Sequence, residues 1–297
     1  MKTLIIRPSA LGDTLMLAPA LHQIAGRISV ILVGRKPGID FLQPLLTRIL
    51  DYETGGWHTL FFEKPHCKDL SLPDVDTVIS FLSDNSGMLK KGLQKCLKHT
   101  SVFTFSPFPQ RGEEIHVAVY LAACLQKAGL PCNPEGALDE ARKRPLLVKG
   151  KASKSESTIV IHPGSGSNKK NYSSEFWINL IRNKDFRVNH IWLILLGPAE
   201  QEWDQNILTK LLEKNLRIIH SPDKDTLLSL LKNASLYIGH DSGITHLAAM
   251  LGTRTICLFK NSDPLQWAPL GPHVTIIRGD TPPNVISTKI RTELSKV

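Results

Sequence analysis

The chain has 297 residues and carries 36 Lys+Arg against 27 Asp+Glu, a formal net charge of +9. With 42% hydrophobic and 21% charged residues, it has a globular balance, which excludes wholesale disorder. At roughly 150 residues per domain the length suggests two domains or one large one, with core enough to need neither disulfides nor a structural metal. The basic excess is even, 18 against 14 in residues 1–150 and 18 against 13 in the remainder. It suits an anionic partner, or equally a solvated basic surface.

Cys67, Cys96, Cys124, Cys132 and Cys257 are odd in number and form no CxxC pair. This argues against a disulfide framework and a zinc ribbon and suits a reducing compartment. Cys124 and Cys257 lie in apolar runs and read as buried and inert. The opening MKTLII soon meets Arg7, Pro8 and Asp13, so it reads as a strand and its turn rather than a targeting segment. No apolar run approaches the roughly 20 residues of a membrane span, and the expectation is a cytoplasmic protein.

The pattern along the chain is strand then helix. Thr3–Arg7 reads as a strand, Gly12–Ala25 as a helix and Ile28–Val33 as a second strand. Asp76–Leu82 and Ser101–Phe105 are further strands, with helices at Ser86–Lys98 and Glu113–Ala128. Asn133–Ser157 lacks an apolar period, is rich in Lys, Arg, Ser, Pro and Gly, and reads as a linker. The alternation then restarts with strand Thr158–His162, helix Ser174–Arg182, strand His190–Leu196, helix Glu200–Glu213 and strand Leu216–Ile219. Helix Lys224–Lys232, strand Leu236–Ile238, helix Ile244–Leu251 and strands Thr255–Phe259 and Val274–Arg278 follow, then a helix from about Val285. Two βαβα blocks predict two α/β domains with mostly parallel sheets, and ligands at the carboxyl ends of strands in a cleft between them.

Three strand-to-helix turns carry candidate chemistry. In Arg7–Thr14 (RPSALGDT) Asp13 enters a helix start, where it either complements the helix dipole or serves as a general base. In Ile161–Lys170 (IHPGSGSNKK) Ser165, Ser167 and Lys170 stand in a Gly/Ser loop suited to phosphate, although it is no Walker A sequence and also reads as a plain solvated loop. In Ile238–Ala249 (IGHDSGITHLAA) the N–H groups of Ser242, Gly243, Ile244 and Thr245 open a helix beside Asp241 and His246. Asp241 could serve as a simple N-cap and His246 as a satisfied flank histidine. Their convergence on one small-residue turn exceeds what capping needs.

These segments, SALGDTLMLAPAL at 9–21, IHPGSGSNKKNYSSEFW at 161–177, LLGPAEQE at 195–202, GHDSGITHLAAMLGTRTICLF at 239–259 and SDPLQWAPLGP at 262–272, resemble glycosyltransferase family 9. Its members are bacterial ADP-heptose:lipopolysaccharide heptosyltransferases. The resemblance implies an α/β protein of the GT-B fold, with two Rossmann-like domains facing a central cleft. It implies an acceptor-side domain at 1–150, a nucleotide-sugar domain at 151–280, and a C-terminal helix at 281–297 that often crosses back. It further implies an inverting, metal-independent transfer of heptose from ADP-heptose, with no bound cofactor, to an anionic glycolipid acceptor of the lipid A–Kdo core type. By position Asp13 matches the catalytic base, beside Gly12, and Lys170 the contact to the donor phosphates. Asp241 matches the ligand of the sugar hydroxyls, and Ser242, Gly243 and Thr245 the diphosphate site, with His246 alongside. Glu200 or Glu202 falls where a glutamate holds the ribose. The chain departs from the pattern at Tyr172, Lys260 and Gln266, where the family commonly has Trp, Gly and Arg. A UDP- or GDP-sugar donor, or a catalytically silent GT-B binding protein, are the rival readings.

Outside the motifs, Asp74 and Asp76 spell DxD before a strand and read as structural. Lys91, Lys95 and Lys98, with Lys90 nearby, share a face opposite Leu89, Leu93, Cys96 and Leu97. That face reads as solvated, or as an acceptor-side contact with anionic headgroups in peripheral association with the inner membrane. The tryptophans Trp57, Trp177, Trp192 and Trp203 read as core or interface residues, and Trp267, in a matched segment, is the exception that could serve a ligand. Basic residues interleaved with aromatics are lacking, so no nucleic-acid partner is expected.

Overall fold

The computed structural model describes residues 1–68, 70, 72–147, 158–182, 190–197, 200, 216–279 and 281–295. The expected helix over 200–213 lies outside them except at Glu200, as do residues 148–157 of the expected linker. The chain divides into two compact units, Met1–Glu140 and Ala141–Val297.

The first unit holds strands β1 (Lys2–Ile6), β2 (Ser29–Gly34), β3 (Arg48–Asp51), β4 (Thr77–Ser80) and β5 (Ser101–Thr104) in the order β3-β2-β1-β4-β5. All four pairings are parallel, with Leu4 opposite Ile31 on one side and Val78 on the other. The central strands read as continuous apolar runs because both faces of a parallel sheet are covered. Leu4, Ile6, Val33, Trp57, Val78, Leu89 and Leu93 fill one of those faces. The edge strand β3 escapes the sequence pattern because its RILD residues are only half buried.

Helices α1 (Leu11–Leu15) and α2 (Ala18–Ile24) replace the single helix expected over Gly12–Ala25. Pro19 opens the second, and without an N–H it cannot continue the hydrogen bonding of the first. Helices α3 (Met88–Cys96) and α4 (Val117–Lys127) follow, the latter capped by His116, whose Nδ1 accepts from Ala118 N–H at 3.2 Å. The linker reading fails over Pro134–Lys143, which is helix α5 and runs across the unit boundary, so that Ala141–Lys143 belong to the second unit. Asn133 Oδ1 accepts from Gly136 N–H at 3.1 Å, Glu135 occupies the first turn, and Arg142 and Lys143 the last, all favourable to a helix. Its buried stripe of Ala137, Leu138 and Ala141 is too narrow among charges to register as an apolar period.

The cysteine reading also needs correction. Cys67 and Cys96 form a disulfide, with Cα atoms 5.2 Å apart across a sequence separation of 29. That separation is invisible to a search for short Cys spacings. Cys124, Cys132 and Cys257 are free and buried.

The second unit holds β6 (Thr158–His162), β7 (Ile191–Leu196), β8 (Leu216–His220), β9 (Leu236–His240), β10 (Thr255–Phe259) and β11 (Val274–Arg278), in the order β11-β10-β9-β6-β7-β8. Every pairing is parallel. Its described helices are α6 (Ser174–Arg182), α7 (Lys224–Asn233), α8 (Gly243–Met250), α9 (Pro264–Trp267) and α10 (Pro283–Leu294). Trp177 and Trp192 anchor a core of Ile and Leu from the strands, joined by Ile286, Ile290 and Leu294 at helical spacing on α10. Among the described residues no helix is long and apolar enough to cross a membrane.

Both sheets therefore have the Rossmann-like order, and each has a switch point, between β1 and β4 and between β6 and β9. Ligands of such sheets bind beyond the strand ends at that point. The turn bearing Asp13 follows β1, and the 163–170 and 241–245 turns follow β6 and β9.

Candidate active site

In the second unit the two turns meet through charge. Lys170 Nζ donates to Asp241 Oδ2 at 2.6 Å, and His246 Nε2 lies 3.3 Å from Asp241 Oδ1. The Asp241 side chain is 5% exposed and that of Lys170 36% exposed, so the carboxylate is the buried partner and the lysine reaches in to it from a more exposed position. Burial by itself would raise the Asp241 pKa. The hydrogen bond and charge of His246, the Lys170 bond and the nearby Ser262 hydroxyl outweigh it and hold the carboxyl below the usual range. Ser262 is close to the carboxylate without full hydrogen-bond geometry.

Ser242 caps α8, its Oγ accepting from Thr245 N–H at 3.4 Å. The N–H groups of Gly243 and Ile244 have no partner within the helix, as first-turn groups do not, and both residues are half buried at the turn. Thr245 differs from its expected role. It is fully buried, its hydroxyl donates to His240 C=O, and it meets Tyr237 Oη at 3.1 Å and Ser242 Oγ at 3.0 Å. It braces the turn from behind. Gly239 leaves room for that brace, since a Cβ there would stand 2.6 Å from Tyr237 Oη and 3.0 Å from Thr245 Oγ1.

Ser165 likewise serves the loop itself. It is 6% exposed and its hydroxyl bonds Asn171 Oδ1 at 2.6 Å. Ser167 is half buried and its N–H donates to Ser165 Oγ at 3.3 Å. Glu200 comes back over this loop. Its Oε2 accepts from Gly197 N–H, and a Cβ on Gly164 would overlap its carboxylate. Glu202 lies outside the described residues.

Sequence reasoning missed a frame around this cluster. His240 Nε2 accepts from Tyr172 N–H at 2.9 Å, and the Tyr172 ring stacks on His240 with centroids 5.6 Å apart. Burial and the neighbouring His162 push the His240 pKa down to about 3, so the ring is neutral at pH 7 and its Nδ1 proton faces the Pro163 and Gly164 carbonyls loosely. Lys260 Nζ donates to Asn171 C=O at 3.0 Å and lies 5.8 Å over the Tyr172 ring. Two departures from the family pattern, Tyr172 and Lys260, thus touch each other. Asn261 Nδ2 adds a bond to Lys169 C=O at 2.8 Å. The 260–262 loop therefore holds the 168–172 loop in place.

In the first unit Asp13 is half buried in the first turn of α1, with Gly12 immediately before it. The residue that fixes it is Arg7, fully buried at the end of β1. Arg7 Nε donates to Asp13 C=O at 3.1 Å and Nη1 to Pro107 C=O at 2.8 Å. The guanidinium sits 5.4 Å from the Phe81 ring centre and 5.5 Å from that of Phe108. Burial lowers its pKa to about 10 against the opposing charge of Asp13, so it stays cationic at neutral pH. A lone charge closing an apolar strand was the available signal in the sequence.

Lys91 and Lys95 are exposed on α3, with Lys95 Nζ donating to Glu63 C=O at 2.9 Å. Lys98 lies past the helix end, because α3 stops at Cys96, and does not share that helical face. Asp76 Oδ2 accepts from Lys2 N–H at 2.7 Å, a structural role for the DxD.

A model of glycosyltransferase family 9 (heptosyltransferase) matches residues 82–296. Lipooligosaccharide heptosyltransferase 2 of Campylobacter jejuni is 26% identical over 132 residues, which are 43% of this chain and 40% of that protein's length. Escherichia coli heptosyltransferase WaaC with ADP superposes with a TM-score of 0.72 at 16% identity, covering 99% of this chain and 100% of that one. The E. coli ADP-heptose LPS heptosyltransferase II gives 0.70 at 15% identity over 100% and 99%. A family 9 glycosyl transferase of Veillonella parvula gives 0.73 at 13% over 100% and 98%. These structures establish the GT-B class of the fold. The family match extends from just past β4 through α10, and the chain belongs to glycosyltransferase family 9.

Proposed function

We propose that this chain is an inverting heptosyltransferase that moves heptose from ADP-heptose to a lipopolysaccharide core acceptor. The observation that carries the reading is the Lys170–Asp241–His246 cluster at the switch point of the second sheet, beside the open N–H groups of Gly243 and Ile244. An ammonium and a helix start suit a diphosphate, and a carboxylate held ionised suits sugar hydroxyls. In this reading the donor diphosphate replaces Asp241 as the partner of Lys170, which frees Asp241 Oδ2 for the sugar. Glu200, packed on Gly164, accepts from the ribose hydroxyls.

Asp13 acts as general base. Its carboxylate takes the acceptor hydroxyl proton as the oxygen bonds to the anomeric carbon. The bond from that carbon to the diphosphate oxygen breaks, and ADP leaves from the opposite face, so the centre inverts. Lys170 and the α8 N–H groups take up the charge developing on the leaving diphosphate, and the reading invokes no metal. Arg7 positions Asp13 through its backbone. In this reading the enzyme works at the cytoplasmic face of the inner membrane. There the exposed Lys91 and Lys95 would meet anionic headgroups, at about 1 kcal/mol each.

Calorimetric titration with ADP, UDP and GDP tests the donor. Selective ADP binding that Lys170→Ala weakens is the expected result. Selective UDP or GDP binding replaces the heptose donor, and absence of all three argues for a silent binding protein.

A further inference from the structure

A second cationic concavity lies in the same unit, away from the donor turns. Its volume is about 520 Å³, within the range of small-molecule sites. Arg142 from α5, Arg278 from the end of β11 and Lys289 from α10 line it, together with Thr281. Pro264, Leu265 and Ile276 give it an apolar side, and Leu265 is 55% exposed, one of the few large hydrophobic side chains so placed. None of Lys170, Asp241, Ser242 or His246 lines it.

No acidic residue lines the concavity among the described residues. The carboxylate one helical turn beyond Lys289, Glu293, is buried and bound to Arg254 at 2.9 Å. Three elements thus bring like charges to one hollow, an arrangement that suits an anion. The turn after β11 is closed by Thr281 N–H on Arg278 C=O at 3.0 Å, and both residues line the hollow.

We propose that this concavity is an anion site for a phosphoryl group carried on a partly apolar molecule. Arg142, Arg278 and Lys289 grip the phosphoryl oxygens, and Leu265 and Pro264 cover the apolar part. The site is distinct from the donor cluster, yet α9, which forms its apolar side, follows directly from the 260–262 loop that braces Lys169 and Asn171.

The test uses the full chain in two arms, each with wild type and Arg278→Ala/Lys289→Ala. Both substituted side chains are exposed, and melting checks that the fold is kept. In the first arm the protein, saturated with ADP, is titrated with inorganic pyrophosphate. In the second, sedimentation with phosphatidic acid vesicles is compared with neutral vesicles. Expected is binding in at least one arm, weakened about tenfold or more in the variant, with ADP affinity unchanged. Binding in the first arm identifies a soluble phosphate ligand, and binding in the second alone a lipid headgroup. No binding in either arm, or binding that the variant leaves intact, overturns the site. Should ADP itself fail to bind, the donor reading falls, while a pyrophosphate signal removed by the double variant still upholds this one.

Discussion

The two units share one strand order and one kind of switch point, but they equip it in opposite ways. In the first, a single cation, Arg7, is sealed behind the turn and acts on backbone carbonyls, leaving Asp13 as the half-buried side chain at the front. In the second, Lys170, Asp241 and His246 meet at the front, and behind them stand Tyr237, Thr245, His240 and Tyr172. The scaffold is the same, so the difference lies in the turns grafted on it. A proton acceptor needs one carboxylate kept accessible. On the proposed function, the second unit holds a diphosphate, which needs many donors kept in fixed positions against their own repulsion, and the braced network would supply them.

The largest effect that would sharpen this contrast is on transfer. Asp13→Asn should lower the transfer rate by about 10²–10⁴-fold, the usual worth of a positioned base, read from heptose incorporation into acceptor. Residual transfer near the wild-type rate removes Asp13 from that role. Next is Lys170→Ala, which should weaken ADP binding by about tenfold or more through loss of a charge-assisted contact, seen by calorimetry. Lys170 reaches into the cluster, so the binding loss should exceed that of Lys169→Ala, whose side chain is exposed.

Arg7→Met tests the first unit's brace. It strips the Asp13 and Pro107 carbonyls of their donors, and the expected loss is about 1–3 kcal/mol of stability in urea unfolding. A variant as stable as wild type would show the buried cation to be dispensable. The last effect concerns pH and is spread over several pH units. The His240 pKa is about 3 in the folded chain against 6.5 for a free histidine, so the unfolded state binds the extra proton between these values. Stability contributed by the neutral ring is complete above pH 6.5 and is lost as pH falls toward 3, at about 1.4 kcal/mol per pH unit at most. His162 is lowered in the same direction by burial and adds to the slope. His240→Gln should flatten the dependence of unfolding free energy on pH over this window, and an unchanged slope would remove His240 as its source.

Much of the second unit was legible because its signals are local. β6, α6, β10 and β11 occupy the spans their apolar patterns predict, and Gly-His-Asp-Ser-Gly announces a turn wherever it stands. What escaped depends on partners distant in sequence. Thr245 looks like a ligand-facing hydroxyl until Tyr237 and the His240 carbonyl are seen to engage it. Ser165 looks free until Asn171 meets it. Cys67 and Cys96 pair across 29 positions, and α5 hides its narrow apolar stripe among charges. Lys260 and Tyr172 look like two separate departures from a family pattern, and only the fold shows that one lies over the other.

The central claim is a division of labour, with proton removal in the first unit and donor binding in the second. The most direct test is the ADP affinity of Asp13→Asn, measured beside wild type and Lys170→Ala. The account predicts that the Asp13 variant binds ADP as wild type does while Lys170→Ala binds it about tenfold or more weakly. A loss in Asp13→Asn as large as that in Lys170→Ala would contradict it.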